Sequence, residues 1–282
     1  MNSSLPIAIS QPSLCREVSL PQYGKQDLGF APAGAMDQFS FQCGNYLLEQ
    51  SADCMALEII LAKTITFNED CLVCLTGAHY ESLTLHSEQS NQHVFANTIF
   101  KALKNDSLHF GKRTKGFRSY LCLRKDLSAK RLIGKKRKDF NTLTQWPDKE
   151  NKIRILKGPE YEILINSEQF LNTSWKISHD SNTMGFRLES DQILNLHPLN
   201  MISQAVCDGT IQCTPKGPVI LMRDRQTVGG YPRIFNVITA DLDLLAQYAP
   251  NQHLHFKCIE HERAAELFLQ KEADLTSLKI RT

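Results

Sequence analysis

Short apolar runs rich in β-branched residues recur along the chain, separated by turn-forming residues: "ALEIILAKTITF", "CLVCLTG", "SYLCLR", "KIRILKG", "TSWKIS", "PVILM", "IFNVIT" and "HLHFKCIE". Each is short and nearly continuous, which predicts strands buried on one or both faces. Helical periodicity is confined to "AMDQFSFQCGNYLLEQ", with Phe39, Cys43, Tyr46 and Leu47 on one stripe, to "NSEQFLN" and "DLDLLAQYA", and to the tail from Glu260 to Lys271. Asp37 and Asp241 stand where an N-cap belongs. Strands that seldom alternate with long helical crossovers argue against a doubly wound sheet and predict a mostly β chain of closed or nearly closed barrels.

With 282 residues and 42% hydrophobic content, the chain can bury one large core or two ordinary ones. The most polar interval, Arg137 to Lys152, reads as a connection and sets a boundary near Asp148, giving an N-terminal domain over 1–148 and a C-terminal domain with a helical tail over 149–282. The 32 basic and 30 acidic residues leave a net charge of +2, so no nucleic-acid footprint is expected. No apolar run reaches the roughly 18 residues of a membrane span, and "MNSSLPIAISQPSLCREV" lacks the features of a secretory signal, so a cytoplasmic protein is expected. Nine scattered cysteines fit reduced, buried thiols rather than a disulfide framework.

Chemistry concentrates in "MRDRQTVGGYPRI", Met222 to Ile234. A plain hairpin would explain Gly229 and Gly230, but not the fork-shaped donors of Arg223 and Arg225 and the polar Gln226 and Thr227 set directly before them. That combination suits a carboxylate or carboxyl-transfer site. In "GKQDLGFAPAGAMDQFSFQCGN", Gly29 and Gly34 can take positive φ and Pro32 fixes its own, as a strand-to-helix connection with an aspartate cap requires. "SNTMGFRLES" and "DGTIQCTPKGP" each read alone as turns, with Arg187 and Gln212 as their polar members. Cys71 and Cys74 have C-x-x-C spacing in an extended run that points them to opposite faces, which makes them core thiols. His253 and His255 share a strand face near Cys258 and His261, where an exposed edge strand outweighs a zinc or copper site, and no metal is assigned. The basic run Lys130 to Phe140 reads as a solvated loop. Phosphate-loop, nucleophile-elbow and dinucleotide motifs are missing from the sequence.

"QDLG", "GAMD", Leu57–Glu58, "LTGA", "SWKIS", "SNTMGFRLE", "GTIQ" and "DRQTVGGYPRI…ITADLDLLAQ" occur in that order between about Val18 and Ala265. Together they resemble the family of the 5-oxoprolinase C-type subunits, also called KipA or allophanate hydrolase subunit 2, which is the C-terminal half of the biotin-dependent carboxyltransferase domain. The family's first signature carries arginine and serine where this chain has Phe30 and Ala33. The resemblance implies two cyclophilin-like β-barrel domains with a few short helices. It implies a KipI-like B subunit and a LamB/YcsF-like A subunit as partners, and ATP-dependent opening of 5-oxoproline to L-glutamate, with no tightly bound cofactor and ATP used by the complex. Carried over residue by residue, it implies Asp27, Asp37 and Arg225 as catalytic. Glu58, Arg187, Gln212, Gln226, Thr227, Gly229, Gly230 and Tyr231 follow as binding residues for a small carboxylate or lactam. A regulator that antagonises a KipI-like kinase inhibitor, and the carboxyltransferase part of a urea carboxylase system, are the other activities the resemblance admits.

Overall fold

The computed structural model describes residues 5–88, 90–134, 152–192 and 194–280. Its contacts divide into two compact units: the described residues of Met1–Leu20, Asp37–Trp146 and Ala273–Thr282 in one, and Pro21–Met36 with those of Pro147–Glu272 in the other. The boundary expected near Asp148, and most of the basic run ending at Phe140, lie outside the described residues. As expected from the strand-rich pattern, the chain is mostly β.

The strands of the first unit are β1 (Ile7–Ile9), β2 (Leu14–Val18), β3 (Ala56–Leu61), β4 (Thr64–Phe67), β5 (Cys71–Tyr80), β6 (Leu83–His86), β7 (Asn91–His93), β8 (Ile99–Ala102), β9 (Ser107–Phe110) and β10 (Arg113–Arg124). They form two five-stranded sheets, ordered β1-β4-β9-β6-β7 and β2-β3-β10-β5-β8. Alternate residues from both sheets, among them Ile59, Phe67, Val73, Leu85, Leu108 and Leu121, meet in one core. Strand β5 is buried on both faces along most of its length, because helix α1 (Gln38–Leu47) covers the face that the core leaves over. Gly44 makes this approach possible: a Cβ there would lie 2.5 Å from the Cys122 Sγ.

Asp37 caps α1 as the sequence predicts, accepting from Ser40 N at 2.9 Å and Ser40 Oγ at 2.6 Å. Asp37→Ala should cost about 1 kcal/mol or more through the lost cap, read as a lower thermal midpoint. An unchanged midpoint would contradict the capping role.

The second unit contains β11 (Lys152–Lys157), β12 (Trp175–Ile177), β13 (Gly185–Glu189), β14 (Gln204–Ala205), β15 (Thr210–Thr214), β16 (Gly217–Leu221), β17 (Val228–Gly229), β18 (Arg233–Val237) and β19 (His253–Cys258). Seven of them close a barrel in the order β11-β18-β15-β16-β13-β12-β19, while β14 and β17 form a separate ribbon. Ile155, Ile177, Leu188, Ile211, Ile220 and Phe256 belong to its core. Phe170 of helix α2 (Ser167–Asn172) stacks on Phe235 and Phe256, with ring centroids 4.9 and 5.1 Å apart.

Three expectations change here. Strand β19 is no edge: it pairs with both β11 and β12, because the barrel closes through it. Asp241 precedes helix α3 (Leu242–Ala246) but makes no side-chain cap. Its carboxylate instead grips Arg154, accepting from the backbone N at 2.7 Å and from Nε at 3.0 Å. The tail helix α4 runs His261–Ile280, past the Lys271 at which the apolar pattern fades.

All nine cysteines are free, and burial pushes the Cys71, Cys74 and Cys213 thiols up to about 12. Cys207 is the exposed one. A disulfide reagent at neutral pH should therefore label Cys207 first, and Cys207→Ser should remove the fast phase. Equally fast labelling of Cys74 would contradict its burial.

Candidate functional site

The outer face of the second unit's barrel carries the densest set of polar groups anticipated from the sequence. On β13 the buried Phe186 and Leu188 alternate with the exposed Arg187, so Arg187 points away from the core. Arg187 lies opposite Val219 on β16, and Val219 lies opposite Gln212 on β15. The three therefore form one row across adjacent strands on one face.

Gln212 is buried, and its amide is fixed from two sides: Nε2 donates to the Tyr231 carbonyl at 3.0 Å, and Oε1 accepts from Gln226 Nε2 at 3.4 Å. Gly229 passes so close that a Cβ would lie 2.6 Å from Gln212 Nε2, which accounts for a glycine at this position of β17. Around these groups lies a cleft of about 440 Å³, lined among others by Arg187, Gln212, Gln226, Tyr231, Asp180 and Lys216. Arg187 and Lys216 form no ion pair among the described residues. A larger hollow of about 620 Å³ differs in this respect, because its Lys176 pairs with Glu189 at 2.7 Å and its His253 Nδ1 meets Ser174 Oγ at 3.2 Å.

The remaining anticipated residues are placed elsewhere. Thr227 is buried, and its carbonyl accepts from Val206 N at 3.0 Å. Gly230 is exposed beside Ser203 Oγ. Arg225 is buried and lines no part of the cleft; its Nη1 lies 3.3 Å from Asp208 Oδ1, while Asp208 Oδ2 accepts from Arg223 Nη1 at 3.0 Å. Tyr23 stands near the same charges, and its hydroxyl pKa is raised, first by burial and then by Asp208.

Asp27 is exposed on a short turn over Gln26–Leu28 that ends at Gly29 with φ 85°. Further along that segment Ala33 and Gly34 take φ 53° and 90°, and Ala33 N donates to the Arg223 carbonyl at 3.1 Å. This stretch is thus bound to the Arg223 turn through its backbone, without placing Asp27 in the cleft. Asp37 and Glu58 belong to the first unit. Glu58 is buried there, accepting from Arg16 Nε at 2.9 Å and from the Tyr120 hydroxyl at 2.8 Å. Tyr120 in turn accepts from Asp37 N at 2.7 Å, and its pKa is raised well above the ordinary value by burial and by Glu58.

Lys216 and Asp180 were missed by sequence reasoning. Lys216 carried no strand signal, because it lies in the two-residue turn between Thr214 and Gly217, past the end of β15. Asp180 sits in an irregular turn and carried none. Among the described residues, no group of three or more His, Cys, Asp or Glu side chains could hold a metal ion, and no helix is long and apolar enough to cross a membrane.

A closed barrel with an amide-lined cleft, in a chain whose other unit is also built of sheets, defines a class of protein unlike the nucleotide-binding α/β folds. Residues 28–143 and 134–258 match the model described as carboxyltransferase domain, subdomain A and B, and the chain belongs to that family. It is 28% identical to the C-type subunit of 5-oxoprolinase from Haemophilus influenzae, over 92% of this chain and 93% of that protein. The corresponding 5-oxoprolinase chain of Escherichia coli is also 28% identical, over 83% of this chain and 85% of the relative. Among solved structures, urea amidolyase of Kluyveromyces lactis matches with a TM-score of 0.80 at 21% identity, covering 98% of this chain and 20% of that one, a likeness of fold.

Proposed function

We propose that this chain is the C-type subunit of an ATP-dependent 5-oxoprolinase, acting with a KipI-like B subunit and a LamB/YcsF-like A subunit in the cytoplasm. The observation that carries this reading is the cleft itself: a cation, Arg187, and a fixed pair of carboxamides, Gln212 and Gln226, face one space in a chain similar along nearly its whole length to proteins named as the C-type subunit of 5-oxoprolinase.

The substrate has two recognition elements, an α-carboxylate and a lactam amide. Arg187 offers a fork of N–H donors to the carboxylate. The Gln212–Gln226 pair offers both donor and acceptor to the lactam C=O and N–H, and its internal hydrogen bonds hold it in place before substrate arrives. Tyr231, half exposed at the rim, covers the ring. ATP is the co-substrate of the complex: its terminal phosphoryl group passes to the lactam oxygen with loss of ADP. One water adds to the lactam carbonyl carbon as the ring C–N bond breaks to the amine and an acyl phosphate, and a second water hydrolyses the acyl phosphate to the carboxylate and phosphate. This chain's share is binding and orientation.

Urea amidolyase of Saccharomyces cerevisiae, 22% identical over 89% of this chain and 16% of that protein, supports a second reading, in which the same cleft holds a carboxylated substrate during carboxyl transfer. Purifying the chain with the two partner subunits and following glutamate from 5-oxoproline separates the two. ATP-dependent glutamate that requires this chain is the expected result. Its absence from the complete mixture would overturn the oxoprolinase reading.

A further inference from the structure

The cleft holds one cation more than a lactam carboxylate needs. Arg187 enters from β13, whereas Lys216 stands at the tip of the β15–β16 hairpin, in the turn where Thr214 Oγ1 accepts from Lys216 N at 3.3 Å. Both are exposed and neither is held in an ion pair among the described residues, so each is available to a ligand. With Arg187 and Gln212 two strands apart, their backbones are separated by about 10 Å. The fixed amides of Gln212 and Gln226 lie on the β15 side of this row. Two separated cations around a polar floor, with Asp180 the one carboxylate among the lining residues, complement a ligand bearing two anionic groups.

We propose that the cleft recognises a doubly anionic ligand, a carboxylate held by Arg187 and a phosphoryl group held by Lys216. This rests on the oxoprolinase reading for its physiological occupant, the phosphorylated lactam, which carries both groups while 5-oxoproline carries only one. It assigns Lys216 a specificity role that no other residue of the cleft duplicates: Lys216 distinguishes the phosphorylated form from the starting lactam, which has no second anionic group. A flexible ammonium suits that task, since it meets a phosphoryl oxygen as a point charge without demanding a fixed plane.

Calorimetric or NMR titration of the full chain with phosphonopropionate, propionate and methylphosphonate tests this directly. The two-headed probe should bind at least about tenfold more tightly than either single-headed one, with an advantage that shrinks as salt is raised. Lys216→Gln should remove that advantage by about tenfold while leaving propionate binding unchanged, and Arg187→Gln should weaken propionate and phosphonopropionate alike. Lys216 is exposed at a hairpin tip, so its variant should melt as the wild type does. No saturable binding of phosphonopropionate, or equal binding of the two-headed probe and propionate, would overturn the proposal, as would an unchanged preference in Lys216→Gln. Selective binding without glutamate formation by the complete complex would leave this inference standing and remove the oxoprolinase reading. Glutamate formation without selective binding would do the reverse.

Discussion

Arg187→Gln is expected to lower kcat/KM for 5-oxoproline in the assembled complex by about tenfold to a hundredfold, with the loss carried mainly by KM. The size follows from removing charge-assisted hydrogen bonds to a carboxylate while keeping a polar side chain of similar reach. Loss through KM follows because the carboxylate does not change during ring opening, so Arg187 binds ground state and transition state alike. Arg187 is exposed and its backbone bonds, from its N to Ser181 Oγ at 3.0 Å and from Ser178 N to its carbonyl at 2.9 Å, do not involve the side chain. The variant should therefore melt at the wild-type temperature. A loss confined to kcat, or a large fall in stability, would argue against a binding role.

Asp241→Ala should have the largest effect on stability. The Asp241 side chain is fully buried and its two oxygens take the Arg154 backbone N, Nε and Nη2. Removing it leaves a guanidinium and an amide without acceptors in the wall of the barrel, at a cost of about 3–5 kcal/mol. For a chain of this size that corresponds to a fall in the thermal midpoint of about 6–20 °C, measurable by calorimetry. Asp241→Asn, which keeps an acceptor, should lose less. If both variants melted as the wild type, the clasp would contribute nothing.

The same residue shows where sequence reading reached its limit. Asp37 and Asp241 both precede apolar helical patterns, and local sequence cannot distinguish them. Asp37 reaches the Ser40 N and Oγ of its own helix start, whereas β11 brings Arg154 to Asp241 from 87 positions away. Strand content was legible where runs were apolar and continuous, as in β3, β5 and β10. Strands β6, β7 and β9 were not, because "LTLH", "NQH" and "SLHF" place one polar face toward solvent and carry too few apolar residues to stand out. Their membership in a sheet comes from pairing with β4 and with one another.

In the candidate site, chemistry and position separated. The turn Met222 to Tyr231 was legible as polar groups beside a glycine pair, and Gln226 and Tyr231 line the cleft with Gln212 and Arg187 from two other motifs. Arg225, the most conspicuous cation of that turn, is directed to Asp208 instead: it closes a turn by donating its N to the Met222 carbonyl and is buried, while the next residue, Gln226, is exposed. Lys216 was hidden because a lysine before a glycine reads as an ordinary turn residue until the β15–β16 hairpin is seen to end at the cleft.

The central claim is that Arg187 holds the substrate carboxylate in this cleft. Comparing 5-oxoproline with pyrrolidinone, the same lactam without its carboxylate, in wild-type and Arg187→Gln complexes tests it as a double-mutant cycle. The expected result is that Arg187→Gln lowers kcat/KM about tenfold to a hundredfold for 5-oxoproline and leaves pyrrolidinone turnover unchanged. Equal losses for the two lactams would contradict the account.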